Sequence, residues 1–276
     1  MKKFLLAVLT CLLFLGIYSC KKDKAEINFN PNVLSSKDYI SAEDALFEIV
    51  NTFYKGINDT LVNENYYGYI DNCGISWYPG DSLLMFGYGT ENRMCQDGKF
   101  RRGSFYAHFS GNRWDDGVTA TLSTDQLMVD DSLVEAQMVF TKNGLNSDNL
   151  MEFTLDVQYC KIRPDDTTKF NPVTISAGFI LEWSEGSATP EIHEDDIYLV
   201  SGTASGSSSD GYVFQVEIQD PLVNPVDCFW IYSGISRIDV PEAEVTSGTI
   251  DYIPEDGCFN KMNFYFNDNL FYHFLK

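Results

Sequence analysis

Beyond Tyr66 the chain alternates apolar and polar residues one by one, and this period of two constrains its fold more than any other feature. Phe105, Ala107 and Phe109 alternate with Tyr106 and His108, and Val118, Ala120 and Leu122 with Thr119 and Thr121. The same rhythm runs through Val134, Ala136, Met138 and Phe140, through Phe153, Leu155, Val157 and Tyr159, and through Phe214, Val216 and Ile218. Successive side chains of a strand point to opposite faces. Such segments therefore make strands with one dry and one wet face, as in antiparallel sheets. Turn formers separate them: residues 112–117, Asp130-Asp131, Asn143-Gly144, Asp165-Asp166 and Ser209-Asp210-Gly211. Short strands at this spacing predict an all-β fold, an antiparallel meander forming a sandwich or a rolled sheet.

Ahead of the strands the period is 3.6. Ser41-Ala-Glu-Asp44 has the form of a capping box and precedes Ala45, Leu46, Ile49, Val50, Phe53 and Tyr54. The spacing predicts one N-terminal helix from near Ser41 to near Gly56, its apolar stripe packed on the sheet. Residues 20–37 are polar and read as a tether. Residues 38–190 then hold the helix and a first β unit. Residues 191–276 hold a second unit, continuous with the first or separated from it by the acidic, turn-rich stretch 184–196.

The first 19 residues read as a signal peptide. Lys2 and Lys3 precede an apolar run from Phe4, and Ile17-Tyr18-Ser19-Cys20 closes it. Lys21-Lys22-Asp23-Lys24 ends the run too early for a bilayer span, which needs about 20 apolar residues. The segment resembles a bacterial lipobox. That resemblance implies lipid attachment at Cys20, cleavage just before it, and several acyl chains, enough for a stable membrane anchor. Lys21 after the cysteine favours the outer membrane, with the periplasmic or surface side left open.

Removing Lys2 and Lys3 takes the net charge from -21 to -23, with 17 basic residues against 40 acidic. Nucleic-acid binding rests on neutralising phosphates with Lys and Arg, so this balance argues against it. Outside the signal and Cys20 the cysteines are Cys73, Cys95, Cys160, Cys228 and Cys258. Each of the spans 73–95 and 228–258 reads as strand, turn and strand, whose ends a hairpin would bring together. Two disulfides are expected, Cys73–Cys95 and Cys228–Cys258, with Cys160 a buried free thiol.

A search for chemistry leaves little. His193-Glu-Asp-Asp-Ile is not the zinc-protease motif, Gly202–Gly206 places its serine one position too late for a nucleophile elbow, and no Gly-rich phosphate loop follows a strand. No catalytic, metal or cofactor-binding residue is assigned. Acid pairs at Asp115-Asp116, Asp165-Asp166 and Asp195-Asp196 leave a glycosidase-like or calcium-binding reading open. Trp77, Trp114, Trp183 and Trp230 could stack on sugar rings where exposed and pack in the core where not.

Three segments carry a family resemblance. They are Asp97-Gly-Lys-Phe-Arg-Arg-Gly103 with Phe109-Ser-Gly111, then residues 125–140, then Trp230-Ile-Tyr-Ser-Gly234 with Ser247-Gly-Thr-Ile-Asp-Tyr252 and Asp256-Gly-Cys-Phe-Asn-Lys261. Together they resemble a group of uncharacterised strand-rich lipoproteins of the Bacteroides type, over roughly residues 70–276. The chain departs from the group's pattern at Ala136, where Gly is usual, and at Ile253-Pro254-Glu255. The resemblance implies fold and location and brings no activity. Asp59-Thr60-Leu61, Asp81-Ser82-Leu83, Asp131-Ser132-Leu133 and Asp166-Thr167-Thr168 also resemble that group's O-glycosylation site, which would place glycan on Thr60, Ser82, Ser132 and Thr167. The competing reading is a turn ended by the Asp-Ser or Asp-Thr pair.

Two functions compete. One is a non-catalytic envelope module that binds a glycan or an envelope protein, or supports an assembly. The other is a hydrolase acting on glycan or peptide through paired acids. A deep aromatic cleft holding clustered carboxylates would favour the hydrolase. Replacing Cys20 by Ser is expected to abolish acyl labelling and to leave the chain uncleaved or released. Unchanged acyl labelling of that variant would exclude the anchor.

Overall fold

In the computed structural model, which describes residues 27–164, 171–253 and 258–275, the period-two segments form one sheet. Fourteen antiparallel strands follow one another in chain order, each hydrogen-bonded to the next. They are β1 (Tyr67–Ile70), β2 (Cys73–Tyr78), β3 (Leu83–Met94), β4 (Phe100–Phe109), β5 (Thr119–Val129), β6 (Ser132–Leu145) and β7 (Met151–Arg163), followed by β8 (Val173–Glu185), β9 (Ile197–Ser207), β10 (Val213–Pro225), β11 (Ser233–Asp239), β12 (Ser247–Tyr252), β13 (Lys261–Phe266) and β14 (Asn269–Phe274). Residues 184–196 are no domain boundary: β8 and β9 pair along their length, from Thr174↔Ser207 to Glu185↔Ile197. The two β units are continuous.

Two helices precede the sheet, α1 (Asn30–Asn58) and the short α2 (Thr60–Asn65). The long helix begins about three turns before Ser41. Pro31 sits in its first turn, where a fixed φ favours helix and no N–H is needed. The hydroxyls that look like caps bond backwards instead: Ser36 Oγ donates to the Asn32 carbonyl and Ser41 Oγ to the Lys37 carbonyl. The end of the expected tether is thus helical from Asn30, while Cys20 lies outside the described residues.

The sheet encloses α1 rather than offering it one face. Besides the predicted stripe, Tyr39, Ile40, Ala42, Glu43 and Phe47 are buried. At about 100° per residue these positions cover roughly 220° of the helix circumference. Inward side chains meet them from far along the sheet: Phe86 and Phe140 at Phe53, Phe179 at Phe47, Phe214 at Tyr39. The remaining arc of α1 is polar, yet it too faces protein. Asp44 pairs with Lys99, and Glu48 with Arg101, whose guanidinium also forks onto Asp97. Asn51 and Asn224 exchange amide hydrogen bonds at 3.1 and 3.3 Å, and Lys55 lies 3.8 Å from Asp227. Burial raises the Asp44 and Glu48 carboxyls against the pull of Lys99 and Arg101. Asp97, although burial opposes it, ends below the usual carboxylate range because of its bonds to Arg101.

Cys228 and Cys258 form a disulfide, joining the loop after β10 to the segment before β13. Cys73 and Cys95 are not paired: both are buried free thiols, as is Cys160. The hairpin argument fails on register. Gly74 faces Gly87, so Cys73 meets the middle of a long β3, and Cys95 lies beyond the far end of that strand. Burial pushes the Cys73 and Cys160 thiols up to about 12.

Glu43 is the other buried acid of α1. It accepts hydrogen bonds from Tyr39 Oη at 2.6 Å and from Tyr252 Oη. Burial raises its carboxyl to about 7, and the two hydroxyls lower it less than burial raises it. An acid whose pKa is raised on folding stabilises the fold below its unfolded value and loses that contribution as pH rises through the folded one. Unfolding free energy should therefore fall between about pH 4.5 and 7.5, by up to about 3 kcal/mol from this group. Glu43→Gln is expected to flatten that slope in urea titrations at several pH values. An unchanged slope would assign it elsewhere.

Candidate functional site

The in-register triplet Phe109, Ala120 and Phe140 lies across β4, β5 and β6, with a small side chain between two large ones. All three point inward, as the alternation requires, and Ala120 leaves space between the rings. Next to them Phe153 of β7 stacks on Phe140 at 5.0 Å. The Phe53 ring of α1 enters that space, 6.0 Å from Phe109 and 5.4 Å from Phe140, and beyond it the last turn of the helix leaves the interior unfilled. The result is a cavity of about 640 Å³ bounded by Phe53, Tyr54 and Ile57 of the helix, by these phenylalanines, and by Val118, Met151 and Trp183.

Trp183, at the end of β8, forms one wall. Its Nε1 donates to Asp196 Oδ1 at 2.9 Å, and Tyr54 meets its ring edge-on at 5.4 Å. Asp196 is fully buried. Burial raises its carboxyl, and the contacts to His193 and Trp183 oppose that rise. The intervening loop is shaped by Gly186 at φ 88°, where an added Cβ would lie 2.1 Å from Asp196 Oδ1. His193 Nδ1 is 3.5 Å from Asp196 Oδ2, too far for a hydrogen bond.

The rim is polar. Arg113, in the loop after β4, has its guanidinium carbon over two indoles, 4.5 Å from the Trp77 ring centre and 5.1 Å from that of Trp114. Its Nη2 donates to Asn63 Oδ1 of α2 at 2.6 Å, while Nη1 is buried without a hydrogen-bond partner. Burial shifts its guanidinium downward, and it makes no ion pair with a carboxylate among the described residues. Lys142 Nζ bonds the Trp114 carbonyl at 2.7 Å and Asp116 at 2.9 Å, which holds the loop against β6. Glu64 and Glu191 complete the rim.

The acid pairs found in sequence do not assemble a catalytic pair among the described residues. Asp115 accepts from Asn112 Nδ2, Asp116 pairs with Lys142, Asp195 accepts from Thr189 Oγ1, and Asp196 holds Trp183. Asp165 and Asp166 lie outside the described residues, as does Thr167. No group of three or more His, Cys, Asp and Glu is placed to hold a metal ion among the described residues. No described helix is long and apolar enough to cross a membrane. Of the tryptophans, Trp183 is buried, Trp77 and Trp230 pack partly buried against the core, and Trp114 is 48 % exposed on the rim.

The other three glycosylation candidates lie on separate turns. Thr60 is the exposed first residue of α2 behind its cap Asp59, Ser82 is left-handed (φ 51°) just before β3, and Ser132 opens β6 after the Asp130-Asp131 turn. The turn reading of the last two motifs is therefore right as far as conformation goes. The turn-like composition of residues 112–117 does not single out Arg113. The available signal was an Arg-Trp pair inside a loop otherwise rich in Asp. No family model matches this chain, and neither a curated protein nor a solved structure matches it.

Asp196→Ala should leave the buried Trp183 Nε1 without its acceptor. A loss of about 1–3 kcal/mol in chemical denaturation is expected, with a changed tryptophan emission. An unaltered midpoint and spectrum would show that this bond does not set the wall.

Proposed function

We propose that the chain is an envelope lipoprotein with a non-catalytic binding role, its ligand entering the aromatic cavity at the C-terminal end of α1. The cavity carries this reading. Its size falls in the range of small-molecule sites, its interior is apolar, and its few polar groups gather at one rim. A glycan, one of the partners expected from sequence, would find few hydrogen-bond partners among Phe53, Phe109, Phe140 and Phe153. Of the paired acids on which the hydrolase reading rests, Asp116 and Asp196 hold the loops of the rim.

The anchor proposed at Cys20 fits this arrangement. The described chain begins at Ile27, beside the N-terminal end of α1, and the cavity lies at the other end, about 40 Å away along a 29-residue helix. A chain held through Cys20 would present the cavity away from its attachment.

The chain starting at Lys21 keeps every contact described above and needs no detergent. It is expected to bind the neutral fluorescent probe 1-N-phenylnaphthylamine with enhanced emission. Met151→Trp, which adds bulk at the partly buried cavity wall, should abolish that enhancement while the fold survives by circular dichroism. Equal binding by the filled variant would refute the cavity as the site.

A further inference from the structure

Arg113 is placed unusually for a chain with 40 acidic residues and 19 basic. The strongly buried cations are matched by acids: Lys99 by Asp44, Arg101 by Glu48 and Asp97. Even the more exposed Arg102, Arg163 and Arg237 have carboxylate partners. Arg113 lies at the wall of the aromatic cavity and has no ion pair among the described residues. Its guanidinium carbon lies over two indole rings, and one nitrogen is fixed by Asn63. What remains is the edge bearing Nη1, a buried donor that bonds nothing. A buried unsatisfied donor is costly, and a guanidinium is suited to oxyanions above other acceptors. Trp114, whose ring lies 5.1 Å from the guanidinium carbon, is 48 % exposed, and interface side chains commonly change rotamer on binding, which would open Nη1 to a ligand.

We propose that the cavity takes an anionic amphiphile, its apolar body among Phe53, Phe109, Phe140 and Phe153 and its oxyanion head on Arg113. This rests on the binding role proposed above and adds the chemistry of the ligand. Glu64 and Glu191 on the same rim disfavour a second negative charge, so the head is singly charged or places its charge at Arg113. Lys142 contributes less, because Asp116 already neutralises it.

The test uses the Lys21 chain and displacement of 1-N-phenylnaphthylamine by dodecanoate, dodecyl phosphate, dodecanol and dodecyltrimethylammonium, each below its micellar concentration. The two anions should displace the probe at about tenfold lower concentration than dodecanol, the size of one charge-assisted hydrogen bond. Their relative strength separates a carboxylate ligand from a phosphate ligand. Arg113→Gln should remove that advantage, read as the ratio of anion to dodecanol displacement within the variant. Should that variant fold poorly, protonating dodecanoate by lowering the pH must reduce its advantage over dodecanol in the unaltered chain. Equal displacement by anion and alcohol, or stronger displacement by the ammonium compound, overturns the proposal while the binding reading stands. If the probe does not bind and calorimetry finds no heat with dodecanoate, both fall.

Discussion

Asp44 and Glu48 could not lie inside this roll without Lys99 and Arg101 opposite them. A buried carboxylate stripped of its partner costs several kcal/mol, whereas the matched pair roughly breaks even against apolar packing. The polar arc of α1 therefore adds little net stability and much specificity. Turning the helix by one residue would rotate it by about 100° and bring Ala45 against Lys99 and Ile49 against Arg101. Sliding it by one turn would misalign the Asn51–Asn224 amide pair and the Lys55–Asp227 contact as well. Thus one register of helix against sheet satisfies the charges, and the other parts of the fold are measured from it.

Enclosing a helix also explains why the sheet does not close. β1 and β14 stand at the two ends of the strand order, each paired on one side only among the described residues. The apolar arc of α1 supplies the core that strand-to-strand closure would otherwise have to make. The loop after β10 lies along the polar arc, with Asp227 at Lys55 and Asn224 at Asn51, and its disulfide to Cys258 ties it to the segment leading into β13. At its C-terminal end the helix stops at Asn58, and the strand ends beyond Phe53 are left with an apolar interior and no filler. The cavity follows from a mismatch between helix length and strand length.

The loops that edge the cavity are built from the acids that catalysis might have claimed. Asp116 holds the Arg113 loop to β6 through Lys142, and Asp196 fixes Trp183 from beneath. Each is committed to a partner by geometry. A carboxylate held in this way is poorly placed to exchange protons with a substrate. Arg113 differs in that its aromatic surroundings orient it without neutralising it.

Period-two alternation is a local property, and residues 105–109, 134–140 and 153–159 showed it without help from the rest of the chain; that was enough for the sheet, its antiparallel sense and its inward face. The helix stripe at 45–54 was legible for the same reason. Where α1 began was not, because Ser36 and Ser41 can cap a helix or bond back along one, and only Val245 and Glu244 opposite its first turn decide between these. The polar arc was equally hidden. Asp44, Glu48 and Asn51 look like a solvent face until Lys99, Arg101 and Asn224 arrive from strands far along the chain. Cys73 and Cys95 depended on β3 register, which no spacing reveals, and the cavity on where the helix ends relative to the strands. The sequence by itself determined the elements and their buried faces, since these depend on residues within a few positions of one another. The tertiary structure decided register, charge pairing and empty space, since each of these is a relation between residues that only the folded sheet brings together.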